Sequence, residues 1–260
     1  MEALTRPDPT FLPFPLRTLS VGLHPLPAER WLEPGDPVEL AAKVAVLDAH
    51  PEAVGWLPGS ERAQEELAGI LGLAEPTIDA CGRAVVDDLC LLDRDRLVLV
   101  AGAVAHPNRW RLADKLGASL LGVHEPVPGY AGRMAGQVER VLHGLRPERA
   151  FERRSWAVLE DPTLHQPHPS AAVPISADPE RLWLRVERQA LRRLPVTGTV
   201  VFAIRTRQWR LDELAGYPEQ AAGLAGSLRS TPDDLAAYKG VAGVRDPLLA
   251  WLDRVAGRVS

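Results

Sequence analysis

Residues 182–206 read LWLRVERQALRRLPVTGTVVFAIRT and carry the two strand patterns that decide the fold class. The segment 182–187 alternates between apolar and charged residues, which is typical of a strand with one buried face. The segment 199–204 is a run of β-branched and aromatic residues and gives the clearest strand signal in the chain. We therefore predict strands near 181–187 and 198–206.

The rest of the chain predicts helices first and strands later. Two more strands are predicted near 96–104 and 153–160. Helix signals lie at 36–49, after Ser60, at 130–146, and at Thr231-Pro232 and Asp246-Pro247, where a polar residue before a proline suggests a capped start. This order favours an α+β fold with one antiparallel sheet over a doubly wound parallel sheet. We read 1–35 as a proline-rich N-terminal arm and 36–260 as a single domain.

Composition excludes several functional classes. The net charge is −4, and the 30 Lys and Arg are scattered among 34 Asp and Glu, which argues against nucleic-acid binding. Two cysteines are too few for a four-ligand zinc site or an iron–sulfur cluster, and we expect reduced thiols. No apolar run is long enough to span a membrane and no signal-peptide pattern is present, which predicts a cytoplasmic protein. The bias for arginine over lysine suggests a GC-rich bacterial genome.

Standard catalytic motifs do not occur. The sequence contains no Gly-Lys-Ser/Thr phosphate loop, no G-x-G-x-x-G, no His-Glu-x-x-His and no Gly-x-Ser-x-Gly. Candidate chemistry therefore depends on the seven histidines. His24 and His50 adjoin prolines in loop-like segments, and His143 lies between apolar positions of a predicted helix. His165 and His168 are three residues apart, but the intervening proline forbids the helix that would aim them together, so a metal site there is disfavoured.

His106 and His124 are the stronger candidates, in AHPNRWRLADKLGASLLGVHEPVPGY (105–130). Small residues before His124 allow close approach to the backbone, and Pro126 and Pro128 restrict the chain after it. A neutral imidazole held in this way suits an axial haem ligand. The alternative is a buried histidine that bonds a carbonyl and closes a turn. The residues alone leave both open.

Arginines form a second candidate group. Alternation places Arg185 and Glu187 on one strand face, and a helix after Glu187 would place Arg188 and Arg192 together. Arg205 continues an apolar strand and would be costly to bury unpaired. We predict that Arg188 or Arg205 pairs with a carboxylate, either of haem or of a buried acid.

Five blocks, in this order, resemble the haem-dependent oxidative N-demethylase family. The blocks are WLEPGDPVELAAKVAVL, VVDDLCLL, HPNRWRLADKLGASLLGVHEPVPGY, RRSWAVLEDPTL and VERQALRRLP…VVFAIRT. They span roughly residues 30–240. Two departures concern the pocket, because His106 stands where the family usually has Phe and Arg207 stands where an aromatic residue is common.

The resemblance implies a PAS-like antiparallel sheet with flanking helices around haem b. It implies oxidation of a small amine such as dimethylamine with O₂, using electrons from NADPH through a partner chain that carries FMN and a [2Fe–2S] cluster. The implied iron ligand is His124. Beyond this carry-over, we predict His106, Arg188 and Trp110 as cofactor contacts and Arg205 and Glu187 as catalytic residues.

Other classes of function remain open at this level. A haem-based sensor without a substrate, a family enzyme acting on another amine, and a haem-free protein that uses His124 for packing are the alternatives. A homo-oligomer is possible in each case.

Overall fold

One antiparallel sheet organises the molecule. The computed structural model describes Leu12 and residues 22–168 and 176–257. Its seven strands lie in the order β1-β5-β6-β7-β3-β4-β2, and each pairs antiparallel with its neighbours. The strands are β1 His24–Pro27, β2 Val54–Trp56, β3 Asp88–Leu92, β4 Leu99–Ala103, β5 Arg149–Leu159, β6 Trp183–Arg193 and β7 Val200–Arg210. The α+β prediction is confirmed, whereas the finer PAS-like assignment stays a prediction.

The four predicted strands are present as β4 to β7, all in this sheet. The suggested helix after Glu187 is wrong, because β6 continues as strand to Arg193 and pairs with β5 and β7 along its length. Pairing on both sides outweighs the helical spacing of Arg188 and Arg192. The short strands β1, β2 and β3 carry too few alternating residues to be recognised from the sequence.

Ten α-helices surround the sheet in the described part of the chain. They are α1 Pro37–Ala49, α2 Glu61–Leu71, α3 Ile78–Ala84, α4 Leu112–Lys115, α5 Leu120–Val123, α6 Tyr130–Arg133, α7 Ala135–His143, α8 Pro218–Ser230, α9 Asp233–Tyr238 and α10 Arg245–Ala256. The predicted start of α1 is confirmed, since Asp36 accepts a hydrogen bond from the Val38 amide. No helix among the described residues has the length and apolarity needed to cross a membrane.

Three helix predictions need correction. Thr231 does not cap α9, because Pro232 occupies the N-cap position and the Thr231 hydroxyl donates to the Ser227 carbonyl. The helix predicted over 130–146 is interrupted at Met134, whose backbone leaves helical geometry, so α6 and α7 are separate. Asp246 does not cap α10, because the chain enters the helix from a preceding 3₁₀ turn and α10 already begins at Arg245. Pro247 is tolerated there because it lies in the first turn, where its missing amide has no helical partner.

The core lies on both faces of the sheet. Leu89 and Leu91 pack with α2 and α3, whereas Cys90 and Leu92 pack with α4, α5 and α7. Because successive strand residues point to opposite faces, α2–α3 and α4–α7 cover opposite sides of the sheet. Helices α8 and α10 pack on Trp156, in a separate part of the core.

Part of the predicted N-terminal arm belongs to the sheet. The strand β1 pairs with the start of β5, and Trp31 is buried in the core. Residues 1–11 and 13–21 of the arm lie outside the described residues. The division into an arm at 1–35 and a domain at 36–260 stays a prediction.

Candidate functional site

His124 lies at the end of α5 with one ring nitrogen already engaged. The Ser119 side chain caps the start of this helix, and His124 is the C-cap residue that follows Val123. The His124 Nδ1 atom lies 2.8 Å from the Leu120 carbonyl oxygen, so Nδ1 carries the proton and donates. Burial lowers the pKa of His124 and favours the neutral ring. The lone pair is therefore left on Nε2.

Tyr130 stacks against the His124 ring. The ring centroids lie 4.3 Å apart and the planes differ by 9°. The chain reaches Tyr130 through Gly129, whose φ of 70° lies in the left-handed region that favours glycine. The Tyr130 hydroxyl is buried and has no hydrogen-bond partner among the described residues. Stacking covers a face of the imidazole, but the Nε2 lone pair lies in the ring plane and is not blocked by it.

Arg153 contributes a cation on this side of the sheet. It lies on β5 opposite Gln189 of β6, and its charge helps to lower the pKa of His124. Burial lowers the pKa of Arg153 itself, and the charge of Glu187 offsets this in part. Within the described parts of the chain, Arg153 has no hydrogen bond and no ion pair. A cation in this position suits a ligand that carries a carboxylate.

Glu187 lies on the same sheet face and is held by its neighbours. Gln189 Nε2 donates to Glu187 Oε2 at 3.0 Å, and Arg185 Nε lies 3.6 Å from Oε1. Arg185 is fully buried and donates to the carbonyls of His106 and Leu164. The carboxylate is therefore linked through Arg185 to the loop that carries His106.

Lys239 adds a second cation near Glu187. Its Nζ donates to the Trp156 carbonyl at 2.7 Å and lies 4.4 Å from the centre of the Trp156 ring. Burial lowers the pKa of Lys239 to about 8, although the charge of Glu187 opposes this shift. Lys239 can therefore exchange a proton near neutral pH more readily than an ordinary lysine.

His106 and Trp110 border the same side of the sheet. The amides of Ala105 and His106 donate to the two carboxylate oxygens of Asp88, each at 2.8 Å. Burial lowers the pKa of His106 to about 4, so its ring is neutral at pH 7. Trp110 is half-buried and packs against the cluster that contains Leu120. The structure thus places His106, Trp110, His124 and Glu187 on one side of the sheet.

Arg188 and Arg205 lie on the opposite face. Arg188 pairs with Glu152 and Glu33 and donates to backbone carbonyls at 30 and 31. Arg205 pairs with Glu39 and with the buried Asp87. The prediction that Arg188 or Arg205 pairs with a carboxylate is confirmed, and the carboxylates are those of this chain's own acids. The structure does not bring either arginine together with His124.

Arg153, Tyr130 and Lys239 were not predicted from the sequence as site residues. Arg153 could have been found by alternation, because it is three residues from the buried Trp156 and therefore lies on the other strand face. Tyr130 is one of only three tyrosines and ends the block that carries His124. For Lys239, no local pattern indicates that it reaches the edge of β5.

The polar groups around His124 are of the kinds that bind a haem group. It offers a neutral imidazole with a free Nε2, a buried hydroxyl and a cation without an acidic partner, all beside apolar side chains. An imidazole whose other nitrogen bonds a carbonyl is the usual state of a histidine that ligates a metal. An arginine without an acid suits a propionate.

A comparison with known protein families gives a match over most of the chain. The family model described as haem-dependent oxidative N-demethylase, alpha subunit-like, matches residues 73–249. The match covers more than half of the 260 residues and contains His106, His124, Arg153 and Glu187. The chain belongs to the haem-dependent oxidative N-demethylase alpha subunit-like family.

Proposed function

We propose that this chain is the haem-binding subunit of a monooxygenase that removes a methyl group from a small amine such as dimethylamine. Family membership supports haem dependence and oxidative N-demethylation as the reaction class. The observation that carries the proposal is the His124 ring, whose Nδ1 is committed to the Leu120 carbonyl while Nε2 is free. The reaction consumes the amine, O₂, two electrons and two protons, and yields the demethylated amine, formaldehyde and water.

His124 Nε2 is the atom that would hold the iron of haem b. When bound, the haem would supply the site at which O₂ is activated. The Leu120 carbonyl holds the ring tautomer, and Tyr130 restricts rotation of the ring by stacking. Arg153 is the proposed partner of a haem carboxylate, since none of the described acids pairs with it. Trp110 and His106 are proposed contacts of the pocket.

Glu187 is the proposed amine-binding carboxylate. A small secondary amine is protonated at neutral pH, and an ionised carboxylate is its natural partner. Gln189 and Arg185 hold the Glu187 side chain, which limits its motion. Burial lowers the pKa of Lys239 to about 8, so a minor fraction of this side chain is neutral near pH 7 and would take up the proton that the amine must lose before oxidation.

Arg188 and Arg205 have a different proposed role. They lie on the sheet face opposite the site. Arg188 links β6 to β5 through Glu152, and Arg205 links β7 to α1 through Glu39. We propose that they position β6 and β7, and through these strands Glu187. Neither arginine is proposed to touch the haem or the amine.

Electrons are proposed to come from a separate reductase. The family description names an alpha subunit, which is consistent with an enzyme of several components. Cys81 and Cys90 are both buried free thiols, and two cysteines cannot hold a [2Fe–2S] cluster. NADPH, FMN and the iron–sulfur cluster are therefore assigned to the partner chain.

A visible spectrum of the haem-supplemented protein tests the ligand. The wild-type chain should bind one haem with a histidine-ligated Soret band. His124→Ala should lose tight binding or shift the band, while His106→Ala and the matched surface variant His143→Ala should keep iron ligation. A folded His124→Ala protein with an unchanged spectrum would contradict the assignment, and the reverse pattern would make His106 the ligand.

The second test separates an enzyme from a sensor. Haem-loaded protein, dimethylamine, O₂ and an electron source should yield formaldehyde. Glu187→Gln should raise the KM for the amine without changing the Soret band, because it removes the charge that holds the amine and leaves His124 intact. Arg153→Leu should weaken haem binding, whereas the exposed Arg146→Leu should not. Full haem loading without any turnover of small amines would favour a haem-binding sensor.

A further inference from the structure

His50, Glu52 and His165 form a cluster that the proposed function does not use. Each side chain offers one possible ligand atom, and these atoms all lie within 4.8 Å of one another. His165 is far from the other two in the sequence, so only the fold brings the three together. Two imidazoles and a carboxylate are a common ligand set for zinc.

Backbone hydrogen bonds fix the turn that carries His50 and Glu52. The His50 amide donates to the Val46 carbonyl at 2.9 Å and ends α1. A single 3₁₀ turn at Pro51–Ala53 follows and places Glu52 beside His50. The Nδ1 atom of His50 lies 3.2 Å from Glu52 Oε1. These two side chains are thus held on one turn of the chain.

His165 is fixed from a different direction. Its Nδ1 lies 2.8 Å from the Ala105 carbonyl oxygen and donates to it. The next residue, Gln166, exchanges backbone hydrogen bonds with Pro107 and Arg109. The loop of His165 is therefore tied to the segment that carries His106. The His165 side chain reaches the cluster from this anchored position.

The free nitrogen of His165 is the second observation that points to a ligand. Because Nδ1 donates to a carbonyl, Nε2 carries the lone pair. This Nε2 is buried and has no hydrogen-bond partner among the described residues. A buried acceptor without a partner is costly, and a metal ion would satisfy it. The carbonyl on Nδ1 is also the usual outer partner of a metal-binding histidine.

We propose that His50, Glu52 and His165 bind a divalent transition-metal ion, with zinc as the preferred ion and water completing the coordination. The ligand set of two imidazoles and one carboxylate suits zinc among the available ions. The rings of His50 and His165 are stacked 3.9 Å apart at 21°, so His50 must turn its ring to aim a nitrogen at the ion. Its side chain is 39% exposed and has room for that rotation.

The site would join the end of α1 to the loop before His106. The ion would be separate from the haem iron proposed at His124, since none of the three ligands contacts the His124 ring. Bound metal should therefore stabilise the chain whether or not haem is present. The proposal does not depend on the demethylase reaction.

Zinc binding by the full-length, haem-free protein tests the site. After treatment with a chelator, the protein is titrated with Zn²⁺ in competition with a chromophoric chelator, and its melting temperature is measured with and without Zn²⁺. The wild-type chain should bind one equivalent and melt at a higher temperature. Removing a ligand should weaken binding by more than about 100-fold, because even outer partners of ligands contribute roughly 10- to 100-fold.

The variants are His50→Ala, Glu52→Gln and His165→Asn. The asparagine amide can still donate to the Ala105 carbonyl, so His165→Asn removes the ligand atom with the least change to the loop. His168→Ala and His124→Ala are the controls and should keep zinc binding. Should His165→Asn fail to fold, the exposed positions His50 and Glu52 decide the result.

Two outcomes would overturn the proposal. One is a folded wild-type protein that binds no zinc. The other is zinc binding that survives His50→Ala and Glu52→Gln, or that is lost in His124→Ala, since either result places the ion elsewhere.

Discussion

Arg188 and Arg205 lie directly opposite each other on β6 and β7. Like charges in this position repel each other and would destabilise the sheet. Each guanidinium has its own acids, Glu152 and Glu33 for Arg188, and Glu39 and Asp87 for Arg205. These ion pairs compensate the repulsion between the two guanidinium groups.

Arg205→Met should destabilise the protein strongly. Arg205 is 1% exposed, and its loss leaves the equally buried Asp87 without its closest cation. Breaking a buried pair from one side costs about 3–5 kcal/mol. The free energy of unfolding in urea measures this. Arg210→Met, which removes an exposed pair with Asp212, should cost less than about 1 kcal/mol. Equal losses in the two variants would contradict the role of burial.

His106 should make the haem-free protein less stable in mild acid. Its pKa falls from 6.5 to about 4 on folding, so below pH 6.5 the unfolded chain takes up a proton that the folded chain does not. Its contribution to stability is complete above pH 6.5 and is lost as the pH falls towards 4. The loss is on the order of 3 kcal/mol, because each pKa unit corresponds to about 1.4 kcal/mol.

Urea unfolding at pH 7.5 and pH 4 checks this for wild type and His106→Gln. The variant should lose less stability over this range, and His143→Gln should behave as wild type. An identical pH dependence of wild type and His106→Gln would show that His106 titrates normally.

Replacing Gly82 and Gly69 with alanine should change the stability of the protein in opposite directions. A Cβ at Gly82 would lie 2.4 Å from the Ala103 Cβ, where α3 packs on β4, so Gly82→Ala should cost about 1–3 kcal/mol. A Cβ at Gly69 meets no atom within 4 Å, so Gly69→Ala should stabilise α2 by up to about 1 kcal/mol. Thermal unfolding of the two variants gives the comparison. A lower melting temperature for both would contradict it.

Cys81 and Cys90 should not react with a thiol reagent in the folded protein. Both are buried and free, and burial raises their pKa values to about 11 and about 12. The thiolate is the reactive form, so native protein should show little labelling at pH 8, and denatured protein should label at both positions. Rapid labelling of native protein at either cysteine would show that the site opens.

Local pattern determined much of the fold. The alternation at 182–187 and the β-branched run at 199–204 identified β6 and β7, because a period of two depends only on which residues face the core. Asp36 and Pro37 identified the start of α1 for a similarly local reason. The end of β6 could not be found in this way, since its extension to Arg193 depends on pairing with β5 and β7.

The sequence by itself determined the α+β class, the main strands and His124 as a candidate ligand. Only the tertiary structure decided that Arg188 and Arg205 lie on the sheet face opposite His124 and that Arg153 lies near His124. It also decided that the rings of His165 and His50 stack on each other. Periodicity specifies which neighbours along the chain share a face. Contacts between distant segments depend on strand order and loop closure, which no short stretch of sequence encodes.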